Sequence, residues 1–383
     1  MNNSVNNMRY YILLGFLIAA VSATGNDGAF FSSGGQLFPK KETVISLKKE
    51  ILNFRKVEQD YISVRVHFEF FNPGPEKEVL VGFESPGSGG AEVSDSSYIK
   101  NFTVVHDGKT LEFRHTTEPA RKPKDDDCED CGWIRKHIFS FKAVFRPGVN
   151  IIDHAYEYKG ASSVSYDYRY DYILTTGKRW ANTKIEDFTL NIDLGSNVTF
   201  VLPASFGKNN KADWIINGTG KSRIYNVDMY EERNTKKTFF YIKNGSVSLH
   251  MNDFRPDKEL DITMFRNSFD LYNRTLWSGF EIKDGFITKL ANLINESLED
   301  PSALPDRLSP DDLRKLKNYF YAGHGFYFKD EKLRNFYDRY EWYLPDPELK
   351  FEDIILSEEE IKLIGKIREI EKSREAGAKK AGD

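Results

Sequence analysis

From about residue 43 to residue 265 the chain alternates apolar and polar positions with period two. The clearest run puts Ile62, Val64, Val66, Phe68 and Phe70 on one face and Ser63, Arg65, His67 and Glu69 on the other, until Asn72-Pro73-Gly74-Pro75 ends it. Val79, Val81 and Phe83 predict a return strand. Phe102 and Val104, then Asp107-Gly108, then Leu111 and Phe113 predict a hairpin, because Asp-Gly accepts the positive φ angles of a type I′ turn. Further strands are expected at 134–145, 149–158, 166–174, 187–194, 198–202, 222–229, 238–243, 247–251 and 259–265. Short strands separated by Gly, Pro, Asn and Asp predict an antiparallel sandwich or two smaller sheets.

After Phe265 the spacing becomes helical. Phe286, Leu290, Leu293, Ile294 and Leu298 share one helix face, and Glu299 to Pro305 reads as a linker. Ser309 before Pro310, with Asp312 three residues on, is a capping-box variant opening a helix that buries Leu313, Leu316 and Phe320. A second helix starts at Asp330 and buries Leu333, Phe336, Tyr337 and Tyr340, until Trp342-Tyr343-Leu344-Pro345 breaks it. Ser357 with Glu360 caps a last helix, whose buried stripe is Ile361, Ile364, Ile367 and Ile370. The expected fold class is α+β: an N-terminal antiparallel β-sandwich-like region followed by a small all-helical C-terminal module. The domain reading is a signal peptide at 1–23, a β-rich domain at 28–298 that ends in a helix, a linker at 299–308, a helical domain at 309–373 and a frayed tail at 374–383.

The 383 residues suit two to three domains, and 40% hydrophobic with 29% charged residues suits a chain that folds in water. Lys+Arg 54 against Asp+Glu 58 leaves a net charge of -4 and no basic half, which argues against a nucleic-acid partner. Arg9, an apolar run from Tyr10 to Val21, and small Ser22 and Ala23 read as a secretory signal peptide cleaved after Ala23. The run is shorter than the ~20 residues a spanning helix needs, so no stable membrane span is expected once the signal is removed. The protein is expected to be exported, to the periplasm or the cell exterior.

Both cysteines, Cys128 and Cys131, stand in an acidic loop after Asp125-Asp126-Asp127. In an oxidising compartment they predict a local disulfide. A metal knuckle is the alternative, but one Cys-x-x-Cys supplies two thiolates where structural zinc takes four ligands, so no metal and no cofactor is expected.

Leu316 to Tyr343, with Tyr321-Ala322-Gly323-His324-Gly325, Phe326-Tyr327-Phe328-Lys329-Asp330 and Trp342-Tyr343, followed by Leu356-Ser357-Glu358-Glu359-Glu360, resembles a YARHG domain. The resemblance implies a small helical module of extracellular bacterial proteins. Gly323 replaces the arginine of the name motif. The region from Gly34 to Phe265 resembles an uncharacterised family of secreted bacterial β-domains. The stretches that carry this are Gly34-Gly35-Gln36-Leu37, Val64 to Phe70, Leu174-Thr175-Thr176-Gly177 with Trp180, Ile185-Glu186-Asp187-Phe188, and Asp253-Phe254-Arg255-Pro256-Asp257. Neither resemblance implies a reaction.

His324 and Tyr321 are the candidate ligand residues of the helical module. His324 also suits a helix C-cap, where a donating ring satisfies the last carbonyls. Tyr166, Tyr168, Tyr170 and Tyr172 share one strand face opposite Asp167, Arg169 and Asp171. Such a face serves a core, or, if exposed, a stacking platform for sugar rings or an apolar partner. No residue is assigned a catalytic role. Gly218-Thr219-Gly220-Lys221-Ser222 lacks the first glycine of a phosphate loop, and nothing picks a carboxylate pair out of the 58 acidic residues. Arg255 is expected to bridge carboxylates in the Asp253–Asp257 turn. The sequence points to an exported, non-enzymatic binding or scaffolding protein of the bacterial cell envelope, with an envelope glycan or envelope protein as partner. The alternative is a secreted hydrolase acting on envelope glycan or peptide.

Overall fold

The computed structural model describes residues 38–39, 44–58, 60–86, 99–120, 134–163, 166–208, 210–228, 235–265, 281–282, 309–356 and 358–382. The signal peptide expected at 1–23, the Cys128–Cys131 stretch, the helix expected at 286–298, the linker expected at 299–308 and Ser357 lie outside the described residues.

Two sheets form the β-rich part. The smaller, in the order β1 (Phe38–Pro39), β4 (Lys77–Pro86), β8 (Ile134–Phe145), β7 (Arg114–Ala120), is antiparallel. The larger contains β2 (Ser46–Lys56), β3 (Tyr61–Asn72), β5 (Ile99–His106), β6 (Lys109–Thr110), β9 (Gly148–Lys159), β10 (Ala161–Ser163), β11 (Tyr166–Tyr172), β12 (Ile185–Asp193), β13 (Val198–Pro203), β14 (Ile215–Asp228), β15 (Thr235–Phe254), β16 (Leu260–Phe265) and β17 (Glu281–Ile282). Asp107 (φ 48°) and Gly108 (φ 77°) make the expected turn between β5 and β6. The chain then leaves for the smaller sheet instead of continuing that hairpin.

The larger sheet forks. β12 and β13 pair with β15 along one of its edges, Ile192 opposite Val247 and Val198 opposite Ile242, while β14 pairs along the other. Beyond β12 lies one wing, β2-β3-β9-β5-β6, and beyond β13 lies the other, β16-β11-β10. The β2–β12 contact is parallel, the one departure from the expected antiparallel pattern among the pairs described. β15 is a single strand of 20 residues where two were expected. Between the two expected strands Gly245 (φ 104°) lies opposite Gly218 (φ 137°), and a Cβ on Gly245 would stand 2.0 Å from the Asn217 carbonyl oxygen. The glycine pair lets two backbones bend together, and the register shifts by a bulge between Thr219 and Gly220 before the pairing resumes. Gly218 to Ser222 is therefore strand, not a phosphate loop.

The wings curl until their inner faces meet. Tyr172 on β11 lies 5.7 Å from Phe54 on β2 in an edge-to-face contact, and Tyr158 on β9 meets Tyr170 on β11 at 5.8 Å. The smaller sheet closes the side, with Phe145 against Phe70 and Phe139 against Phe102. One apolar core fills the enclosure.

Among the described residues three α-helices follow: α1 (Pro310–Gly323), α2 (Glu331–Asp338) and α3 (Glu358–Gly382). Ser309 caps α1 by accepting from the Asp312 N–H at 3.1 Å, and Asp330 caps α2 through the Leu333 N–H at 2.9 Å. Leu313, Leu316, Phe320, Leu333, Tyr337, Tyr340, Trp342, Ile364, Ile367 and Ile370 are buried as expected, whereas Ile361 is exposed and Phe336 half-buried. α3 runs through the stretch expected to fray, which is rich in the good helix formers Ala and Lys. The second apolar cluster is shared: Val201, Tyr225, Val227, Phe239 and Phe265 from the sheet join the helical residues. They lie on the face of β13, β14, β15 and β16 opposite the curled core.

Candidate functional site

The period-two geometry of β11 sends its side chains to two chemically different places. Tyr170 and Tyr172 point into the core and are fully buried, so they cannot act as a stacking platform for a ligand. Tyr172 donates its hydroxyl to Glu50 Oε1 at 3.2 Å, and Glu50 is itself fully buried on the inner face of β2. Tyr158 donates to the Asp171 carbonyl at 3.1 Å. Burial, and after it the nearby Glu50 carboxylate, pushes the Tyr156 and Tyr172 phenols well above their ordinary range. Tyr168 is half-buried against the curled core, and Tyr166 is half-buried against the cluster beneath the helices.

The outward residues Arg169 and Asp171 of the same strand belong to an ionisable group completed by β16 and β15. Asp171 lies directly opposite Asp261 across the β11–β16 ladder. Arg169 Nε stands 3.0 Å from Asp171 Oδ1 and 3.3 Å from Asp261 Oδ1. Lys237 on β15, itself buried, approaches Asp261 Oδ2 at 3.4 Å, and the Thr263 hydroxyl donates to Asp261 Oδ1 at 2.8 Å. The two carboxylates diverge in character. Burial and then the Asp261 charge raise Asp171 to about 6, although 37% of its side-chain surface still meets solvent. Burial also acts to raise Asp261, but Lys237 and Arg169, with the Thr263 hydroxyl, hold it below the usual carboxylate range. A protonatable carboxyl beside an ionised one is what general acid–base chemistry uses. Two cations balancing two anions is also what a structural ion-pair network uses. The sequence placed Asp171 on the face opposite the tyrosines, and the facing residue on β16 supplied the pairing that no local pattern contains.

Three of the stretches that carry the N-terminal resemblance, around 174–180, 185–188 and 253–257, lie together at one corner of the sheet, with Ile185 opposite Phe254 and Phe188 stacked on Phe254, while Gly34 to Leu37 lie outside the described residues. The Glu259 carboxylate accepts from the backbone N–H of Leu174 (2.6 Å) and Thr175 (3.0 Å) and from the Thr175 hydroxyl (2.5 Å). Asp257 pairs with Lys178 at 2.9 Å and Asp253 with Lys184 at 2.5 Å. The lysines make the close carboxylate bridges; Lys184, and after it the Arg255 charge, holds the Asp253 carboxyl below its usual range, and the Arg255 carbonyl accepts from Asn210. Thr183 (φ 55°) and Asp253 (φ 51°) hold left-handed backbone there, strain that the ion pairs and turn hydrogen bonds around them sustain.

In the helical module His324 is the C-cap of α1, exposed, with its backbone N–H directed at the Phe320 and Ala322 carbonyls. Gly325 (φ 81°) then turns the chain where a Cβ would stand 2.9 Å from the Leu344 carbonyl oxygen. Tyr321 is buried against Phe351 at 4.9 Å. The structure thus separates the candidates: Tyr321 and His324 lie at the end of α1, and the strand tyrosines are divided between the two apolar clusters. Among the described residues no group of three or more His, Cys, Asp or Glu side chains is placed to hold a metal ion, and no helix is long and apolar enough to cross a membrane.

Residues 288–372 match the YARHG domain family, beginning some twenty residues before the boundary read from the sequence. No curated protein matches the chain. Among solved structures, a candidate nutrient-binding protein of Legionella pneumophila is 17% identical, with 88% of this chain and 98% of that one covered at a TM-score of 0.47. The M1 zinc metallopeptidase of Deinococcus radiodurans is 12% identical over 55% of this chain and 43% of its own, at a TM-score of 0.23. Baculovirus P35 is 11% identical over 58% and 98%, at 0.24.

Proposed function

We propose that the protein is an exported, non-enzymatic binding or scaffolding protein of the bacterial cell envelope, whose ligand is an envelope glycan or an envelope protein. One observation carries the non-enzymatic reading: buried ionisable groups are used to build the fold. Glu50 is bonded by Tyr172, Asp261 by Arg169, Lys237 and Thr263, and Glu341 by Tyr225. The YARHG match at 288–372 and the apolar leader at 10–21 support export. The same reading takes residues 28–298 as the β-rich domain, 299–308 as linker, and Cys128 with Cys131 as a disulfide that intact-mass measurement before and after reduction checks.

The experiment is a pull-down of the mature protein on purified envelope fractions. Saturable retention by one fraction supports the reading, and no retention by any of them overturns it. The hydrolase alternative is favoured by the divergent Asp171 and Asp261 pair. It requires release of soluble fragments from envelope glycan or peptide by the wild-type protein, lost in both Asp171→Asn and Asp261→Asn.

A further inference from the structure

The contact between the helical module and the sheet is built from side chains that match one another position by position. Lys221, Arg223 and Tyr225 alternate along β14 and so share the face turned toward the helices, while Ser222, Ile224 and Asn226 are exposed. Each meets a different part of the segment that ends α2. Lys221 Nζ lies 2.5 Å from Asp338 Oδ1 and 3.3 Å from the Asp338 carbonyl, at the helix C-terminus, where a cation is favoured by the dipole. The Arg223 guanidinium lies over two rings, Tyr225 at 4.7 Å and Tyr340 at 4.9 Å, and directs an N–H at the Arg339 carbonyl. The Tyr225 hydroxyl donates to Glu341 Oε2 at 2.8 Å, and Glu341 is 1% exposed. Around this polar line, Val227, Phe239, Val201 and Phe265 pack against the helical aromatics. The Lys221 cation faces the Asp338 carboxylate, the Arg223 cation lies on the Tyr340 ring beside the Arg339 carbonyl, and the buried Glu341 carboxylate takes its phenol donor from the apposed strand.

We infer that residues 338–343 of the YARHG domain are a strand-docking surface, and that its partner is the Lys-x-Arg-x-Tyr face of β14 in the same chain. The module is then a clasp on the β14–β15 arm, not an appendage on a flexible tether. This inference stands apart from the envelope reading, since a failed pull-down leaves it untouched.

The test uses the full chain with a protease site introduced within residues 299–308. After cleavage, the sheet and module fragments are expected to co-elute on size exclusion at micromolar concentration. Lys221→Glu combined with Arg223→Glu is expected to weaken their association at least tenfold, and adding Asp338→Lys to Lys221→Glu to recover part of the loss. Should the charge-reversed chain not fold, as judged by circular dichroism, Tyr225→Phe replaces it, with a loss of several-fold in association. Fragments that separate without any substitution overturn the inference. So does association that is unchanged in the charge-reversed or Tyr225→Phe protein.

Discussion

The two faces of β13 and β15 are covered in different ways. On the inner face Phe200, Leu202, Phe240 and Ile242 meet the curled core, where rings pack on rings and the register of each strand delivers the next apolar side chain. On the outer face the cover is the helical module, and the cover is mixed: apolar at Val201, Phe239 and Phe265, ionic at Lys221 and Asp338, hydrogen-bonded at Tyr225 and Glu341. Apolar packing is non-directional and tolerates small shifts, whereas a buried carboxylate with one phenol donor accepts few arrangements. The inner face buries the larger of the two apolar clusters. The outer face supplies a unique docked position.

Acid should break the inner face first. His154 is fully buried between Phe102 and Tyr156, at 4.5 and 5.1 Å, and desolvation lowers it from 6.5 to about 3. Below pH 6.5 the unfolded chain takes up a proton that the folded chain refuses, so this contribution is intact above pH 6.5 and falls away as pH drops toward 3. The full loss is about 5 kcal/mol. Denaturant titrations at pH 7 and pH 4 should show about 3 kcal/mol of it, and His154→Phe should remove most of the difference.

Next in size is the aromatic packing of the module. Trp342 is buried, stacked on Tyr340 at 5.5 Å and edge-on to Tyr319 at 5.2 Å. Trp342→Ala should cost about 3–5 kcal/mol. Phe68→Ala in the curled core should cost a similar amount. If the clasp is formed, calorimetry shows both substitutions lowering the same transition; a separate early transition in Trp342→Ala would break the comparison.

Tyr225→Phe removes the donor that the strand gives to buried Glu341, and about 1–3 kcal/mol of stability is expected to go with it. Hydrogen exchange should quicken across α2 more than in β2 or β3. The exposed Lys221–Asp338 pair contributes least, about 0–1 kcal/mol in Lys221→Ala, and less in high salt. Asp171 carries a change of opposite sign to that of His154. Its raised carboxyl keeps a proton in the folded state that the unfolded state releases, so stability falls as pH rises from about 4 to about 6. Asp171→Asn should flatten that slope in thermal melts across the same window.

The strands of the β-rich part were readable because period two is a local property. Ile62 to Phe70 announce one wet face and one dry face whatever they pack against, and Ser309 and Asp330 cap their helices with groups a few residues away. The class, the helical ends and the YARHG resemblance all rest on such short-range signals. What the chain alone left open involves residues far apart along it. Whether Tyr170 and Tyr172 face solvent or core depended on β2 and β9 curling over them, and Asp171 became half of a pair only through Asp261. Two strands were expected at 238–243 and 247–251, and the pairing of Gly245 with Gly218 across the ladder carries them through as one. Nothing in the strand expected at 222–229 marked Arg223 and Tyr225, or Lys221 just before it, as meeting residues more than a hundred positions later, Asp338, Tyr340 and Glu341. A pattern within one segment fixes which side of it is apolar, but the partner that covers that side is chosen by packing among distant segments, and only the folded chain holds that information.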